Sequence, residues 1–157
     1  MRRFLPLLLA LTVFLLGACG TRSQAHGDLT VQLPDEFVDL SDESFASDFD
    51  FLYQGRGVAV AGIRESRQAV AAAYGQLDAQ QYAALSMKLH GIPGDPVRTD
   101  GIWHFSYSAV SNGQQIAYLC AVYETEESFW LVQSYCPAEH YDAQIMWQYV
   151  CCVDLNR

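Results

Sequence analysis

Hydrophobic and polar residues alternate in period two along most of this chain, with a few stretches of helical period set between them. Leu29-Thr30-Val31-Gln32-Leu33 turns Leu29, Val31 and Leu33 to one face and stops at Pro34-Asp35, as a strand entering a turn does. Phe37, Val38 and Leu40 continue towards a second short strand. Phe49–Tyr53 and Val58–Ile63 flank Gly55-Arg56-Gly57, which reads as a hairpin turn. From Ile102 to Ser108 the alternation sets Trp103, Phe105 and Tyr107 on one face and His104, Ser106 and Ser108 on the other. Asn112-Gly113 then supplies the two positive-φ positions of a type I′ turn and leads into Ile116–Tyr123. A second turn over Glu124–Ser128 leads into Phe129–Tyr135. These three strands predict an antiparallel meander with apolar residues on both faces, and such a sheet must be covered on both sides.

Two or three helices are available as cover. Asp78 with Gln81 three residues on forms a capping box, and Tyr82, Leu85 and Leu89 fall on one stripe before Gly91 and Pro93. The Ala-rich stretch from Ser66 to Tyr74 predicts a shorter helix. Pro137 suits the first turn of a last helix, in which Tyr141, Ile145, Gln148 and Val150 continue to Cys152.

The first eighteen residues follow another pattern. Arg2 and Arg3 precede an apolar run from Phe4 to Leu16 that only Pro6 and Thr12 interrupt, too short for an ordinary membrane span. It ends in Leu16-Gly17-Ala18-Cys19, which resembles the lipobox of bacterial lipoproteins. The resemblance implies a signal peptide over residues 1–18, a diacylglyceryl group on the thiol of Cys19, and a protein anchored in the cell membrane at its extracytoplasmic face. Gly20–Gly27 shows no apolar period and reads as a flexible tether of about 16 Å. A single domain over 28–157 is then expected.

Composition narrows the classes. The chain has 157 residues, 51% hydrophobic and 17% charged, which is too apolar for disorder and long enough for a real core. Its net charge of -9 argues against nucleic acid, because phosphate binding needs clustered Lys and Arg.

The order of strands and hairpin, helix, three-stranded meander and C-terminal helix is similar to the Mog1/PsbP-like fold. Val31-Gln32-Leu33-Pro34, the helix at Asp78–His90 and the run from Trp103 to Tyr135 carry the resemblance. It implies an α+β domain with an antiparallel sheet of about six strands between helical layers, an α/β/α sandwich. It also implies an adaptor or accessory role, with no catalytic residue to carry over.

Chemistry-bearing motifs are few. Besides Cys19 there are Cys120, Cys136, Cys151 and Cys152. If the last helix runs unbroken from Pro137, Cys136 lies about 22 Å from Cys151, beyond disulfide reach. A disulfide from Cys120 to Cys151 or Cys152 is therefore the candidate, against four buried thiols. Cys136 and His140 are spaced as helical neighbours, but no second ligand pair and no group to orient the His accompany them, so neither zinc nor a Cys–His nucleophile is expected. Seven acids between Asp35 and Asp50 lack the glycine and terminal Glu of a calcium loop and read as a solvated edge that discourages strand pairing. There is no G-x-S-x-G, P-loop or G-x-G-x-x-G. No cofactor is implied.

Aromatic residues are concentrated between Trp103 and Tyr149. Trp103, Phe105 and Tyr107 are the candidate binding surface, with core packing beneath a helix as the plainer role. The expected protein is a non-catalytic interaction or accessory lipoprotein that binds an envelope protein, with a small-ligand carrier or sensor as the alternative.

Overall fold

The computed structural model describes residues 20–156. Cys19 and the signal segment lie outside the described residues. Ten strands and three helices follow one another as β1 (Thr21–His26), β2 (Leu29–Pro34), β3 (Val38–Asp39), β4 (Phe51–Gly55), β5 (Val58–Ser66), α1 (Arg67–Tyr74), α2 (Ala79–Leu89), β6 (Val97–Thr99), β7 (Ile102–Ser111), β8 (Gln114–Glu124), β9 (Ser128–Pro137), α3 (Ala143–Val150) and β10 (Val153–Leu155). A seven-stranded antiparallel sheet has the order β3-β4-β5-β9-β8-β7-β6, and a three-stranded sheet the order β1-β2-β10.

The meander forms in the expected register. Ser111 pairs with Gln114 across Asn112 (φ 50°) and Gly113 (φ 79°), both left-handed as a type I′ turn requires. Arg56 (φ 51°) and Gly57 (φ 75°) make the equivalent turn between β4 and β5.

Alternation along the central strands splits the core in two. Val60, Val132, Trp130, Leu119, Ala121 and Tyr123 pack on one face, where β2 contributes Leu29, Val31 and Leu33 and α3 contributes Met146, Tyr149 and Val150. Phe105, Cys120, Val122, Phe129 and Leu131 pack on the other, against Val70 of α1 and Tyr82, Ala83 and Met87 of α2. Thus one layer over the large sheet is a helix joined to a small sheet, and the other is a helix pair.

Three expectations change. Residues 20–27 are not a tether: Thr21–His26 pairs with β2 from Thr21↔Pro34 to His26↔Leu29, and its partly covered His26 ring lies 4.8 Å from that of Phe51. Apart from His26 and Gln24, whose amide donates to Asp39 at 3.2 Å, the strand is exposed, so backbone pairing more than burial holds it, and the folded domain includes residues 21–26. Pro137 ends β9 instead of opening the last helix, because the β8–β9 ladder runs on to Ile116↔Pro137; a single 3-10 turn, Ala138–His140, follows before α3 starts at Ala143. Asp142 caps α3, accepting from the backbone N–H groups of Gln144 and Ile145 at 2.9 and 3.1 Å. In α2 the capping box is present, but the buried stripe is Tyr82, Ala83, Ser86 and Met87, with Leu89 63% exposed. Its orientation follows from Tyr82, whose ring stacks on Phe129 at 4.5 Å.

Candidate functional site

Two regions bring polar or aromatic groups together at the surface: a row of tyrosines on the α1–α2 face, and a charged groove at one end of the sheets.

The row arises from register. Tyr107 of β7 opposes Tyr118 of β8, which opposes Tyr135 of β9, so one face receives three rings in line. Tyr107 and Tyr118 stack at 4.6 Å and 4°, and Tyr118 and Tyr135 at 5.3 Å and 29°. All three are half-buried. Burial raises each phenol above its ordinary pKa, with Cys120 adding to the rise at Tyr107 and Tyr118, so the hydroxyls stay neutral.

The aromatic surface expected at Trp103, Phe105 and Tyr107 is thus divided. All three share the expected face, but Phe105 is 5% exposed and is a core residue packed with Tyr82 and Met87. Trp103 is partly covered, with the Arg98 guanidinium 5.7 Å from its ring centre. Only Tyr107 joins the tyrosine row. Its partners Tyr118 and Tyr135 are legible in principle from the hairpin register, which pairs positions symmetrically about Asn112-Gly113 and the following turn.

The expected disulfide from Cys120 does not form. All four described cysteines are free. Cys120 belongs to the core beneath α1 and α2, whereas Cys151 and Cys152 follow α3 and pack against the opposite core, so the sheet itself separates them. Burial pushes the Cys120 thiol far up, out of reach of ionisation. Cys136 lies in β9, in the core facing α3.

The groove lies where the β1–β2 turn, the start of α1, the β8–β9 turn and β10 meet. It is open, about 930 Å3, and lined in part by Gly27, Asp28, Arg64, Arg67, Glu124 and Asn156. Asp28 is its organising group. One carboxylate oxygen accepts from the indole N–H of buried Trp130 at 2.8 Å and from Arg64 Nε at 3.2 Å. The other accepts from the Thr125 hydroxyl. Burial opposes its ionisation, but the Thr125 and Trp130 hydrogen bonds, its own backbone N–H and the Arg64 charge outweigh that and hold its pKa at about 2. Arg67 donates to Glu124 at 2.6 Å and to the Thr125 carbonyl at 3.1 Å, and Glu124 accepts from the N–H of Ala79 at the start of α2. Asp28 with Arg64 and Glu124 with Arg67 are thus two ion pairs that tie the β1–β2 and β8–β9 turns to the end of β5 and the start of α1. Nothing in the spacing of Asp28, Arg64 and Glu124 along the chain announces this cluster, which topology alone assembles.

No family model matches the chain, and no curated protein matches it in sequence. Solved structures do match in shape. A crystal structure from Bacteroides thetaiotaomicron superposes with a TM-score of 0.56 at 7% identity over 89% of this chain, which spans only 50% of that longer one. The solution structure of the cyanobacterial PsbP protein CyanoP from Synechocystis gives 0.53 at 8% identity, covering 89% of this chain and 95% of that one. The fold is Mog1/PsbP-like. The Ran-binding protein Mog1p of Saccharomyces cerevisiae agrees, with a TM-score of 0.51 at 11% identity and coverage of 88% and 96%. At such identities these likenesses establish architecture alone.

Proposed function

We propose that this chain is a non-catalytic accessory module of the cell envelope, anchored at the extracytoplasmic face of the membrane by a diacylglyceryl group on Cys19, and that it binds an envelope protein. The observation that carries the reading is how closely the folded domain follows Cys19. The Gly20 carbonyl already accepts from the Asp35 N–H at 3.0 Å, and β1 begins at Thr21. An anchor at Cys19 therefore has no slack. Six residues of β1 at about 3.3 Å each carry the chain some 20 Å to the Asp28 end, which then points away from the bilayer as the recognition end. The mutual pairing of Asp28, Arg64, Arg67 and Glu124 supports binding rather than conversion. The Mog1/PsbP-like architecture is compatible with it, since one protein of that shape is a Ran-binding protein.

A fatty acid bearing an alkyne, fed to cells expressing the full chain, tests the anchor. Label is expected on the natural protein and absent from Cys19→Ser; label retained in that variant would remove the anchor. A photo-crosslinking residue at Glu126, beside the groove, is expected to capture an envelope protein that the same probe at Arg56, near the opposite end, does not.

The groove's volume favours a second reading, a carrier of a small polar ligand. Native mass measurement of residues 20–157 separates the two. Added mass that is lost on denaturation supports the carrier, and a bare chain supports the accessory module.

A further inference from the structure

The large sheet's face on the side of α1 and α2 carries a patch of polar groups that the protein itself leaves without partners. Register lays the patch out in two rows. Ala61, Gln133, Cys120 and Phe105 stand side by side across β5, β9, β8 and β7, and beside them stand Ala59, Tyr135, Tyr118 and Tyr107. Gln133 is only 7% exposed. Its carbonyl oxygen accepts from the Cys120 thiol at 4.0 Å, and its NH2 group donates to nothing among the described residues. Buried amides are nearly always hydrogen-bonded, so this one marks a place where a partner arrives from outside. The NH2 group is not sealed in, because Ser128 Oγ alone among the described residues is both sealed and unpartnered. The hydroxyls of Tyr107, Tyr118 and Tyr135 likewise reach the surface and bond to no protein group among the described residues. No charged residue stands in either row, nor in the next one of Pro137, Ile116 and Ala109. The rows lie between two covers: Tyr107 and Tyr118 pack at the margin of the core beneath the helices, and Tyr135 at the margin of the cluster of Ala46, Leu52 and Ala61. Rings stacked at 4.6 and 5.3 Å stand on edge, so this shelf offers ring edges and hydroxyl groups.

We propose that this shelf binds a neutral oligosaccharide, with the Gln133 NH2 group donating to a sugar oxygen and the three tyrosine hydroxyls exchanging hydrogen bonds with successive sugar hydroxyls. The groups present select the ligand. A phenol both donates and accepts and a carboxamide NH2 donates, which complements sugar hydroxyls that do both at close spacing. An anionic ligand finds no cation in these rows, and a cationic one finds no carboxylate. A wholly apolar ligand would cover four polar groups and leave each without a partner. A polypeptide strand is read by backbone groups at a sheet edge, whereas this is a sheet face. Aromatic carbon beside hydroxyl groups suits a sugar ring, which likewise alternates C–H and O–H. The shelf is shallow and each neutral hydrogen bond contributes little net free energy, so a Kd on the order of 1 mM is expected. None of these residues lines the Asp28 groove, and the proposal depends neither on the anchor nor on the envelope partner proposed above.

Residues 20–157, which include both sheets and all three helices, labelled with 15N and titrated with maltotriose, cellotriose and chitotriose to about 10 mM, test it by NMR. At least one of these sugars is expected to shift the Gln133 side-chain NH2 resonance saturably, together with the backbone amides of Tyr118 and Tyr135. Tyr107→Phe, Tyr118→Phe and Tyr135→Phe combined keep the three stacked rings and remove only the hydroxyls. That variant is expected to bind the sugar about tenfold more weakly or worse. Its urea midpoint is expected to hold, because these hydroxyls bond to nothing in the protein. A lowered midpoint with unchanged affinity would make the row structural and overturn the proposal. The absence of a saturable shift with all three sugars overturns it as well. An affinity that survives the variant does so too, because the sugar then lies elsewhere. An uncharged peptide of five serines that shifts the same resonances more strongly than any sugar would give the shelf to a polypeptide instead.

Discussion

Replacing Asp28 by Asn keeps the shape of the side chain and removes its charge, which makes the groove's electrostatics measurable as stability. The folded carboxylate has a pKa of about 2 against an ordinary 3.8. At about 1.36 kcal/mol per pKa unit, that difference stabilises the folded state by roughly 2 kcal/mol once the group is ionised in both states. The side chain is only 18% exposed, so solvent screens little of it. Because the folded pKa is depressed, the contribution is complete above about pH 5, fades as pH falls through 4, and is lost only below about pH 2, where both states bind the proton. The substituted amide still offers a carbonyl to Trp130, but its NH2 group faces Thr125 or Arg64 with donors where an acceptor stood. Urea unfolding of the natural chain and of Asp28→Asn, followed by Trp fluorescence from pH 2.5 to 7, is expected to show a gap of about 2 kcal/mol at neutral pH that narrows to about 1 kcal/mol or less at the acidic end. A gap of constant size across that range would refute the reasoning, because the effect would then come from packing alone.

Other expectations concern particular contacts. Asp78→Ala removes a capping box and is expected to lower stability by about 1 kcal/mol in the same urea assay. Gly62→Ala is expected to cost roughly 2 kcal/mol or more, since a Cβ built there falls 2.1 Å from Phe51 Cε1 in a fully buried ring. Native alkylation at pH 8 followed by peptide mass analysis should mark Cys151 or Cys152 well before Cys120, which is 1% exposed; rapid marking of Cys120 would contradict its place beneath α2. Intact mass of residues 20–157 produced under oxidising conditions should likewise show no loss of hydrogen attributable to a bridge from Cys120.

The elements that could be read in advance carry their signal locally. Asn112-Gly113 dictates its own turn, Asp78 and Gln81 cap a helix within four residues, and the alternation over β7, β8 and β9 needs no distant partner to be seen. What could not be read depends on contacts far apart in the chain. β1 buries almost nothing, so no apolar period reveals it; it is a strand because β2 lies alongside. The Cys120 bridge fails for a comparable reason. Spacing along the last helix bears only on Cys136, whereas the decisive fact is which face of β8 the Cys120 thiol occupies. That follows from Leu119, Ala121 and Tyr123 turning towards α3. The Asp28 cluster joins residues 28, 64, 67, 124 and 156, whose meeting is a product of topology.

The strand character of residues 21–26 bears directly on what an anchor at Cys19 would do. Eight flexible residues would let the domain tumble within a hemisphere of about 16 Å and present any face to the bilayer. A strand paired with β2 along its whole length cannot swing without breaking that pairing. The molecule would then stand with Gly20, Asp35 and the β4–β5 turn at the membrane and Asp28 outward. Fixing the domain's orientation thus keeps the Asp28 groove facing away from the bilayer, towards whatever it engages.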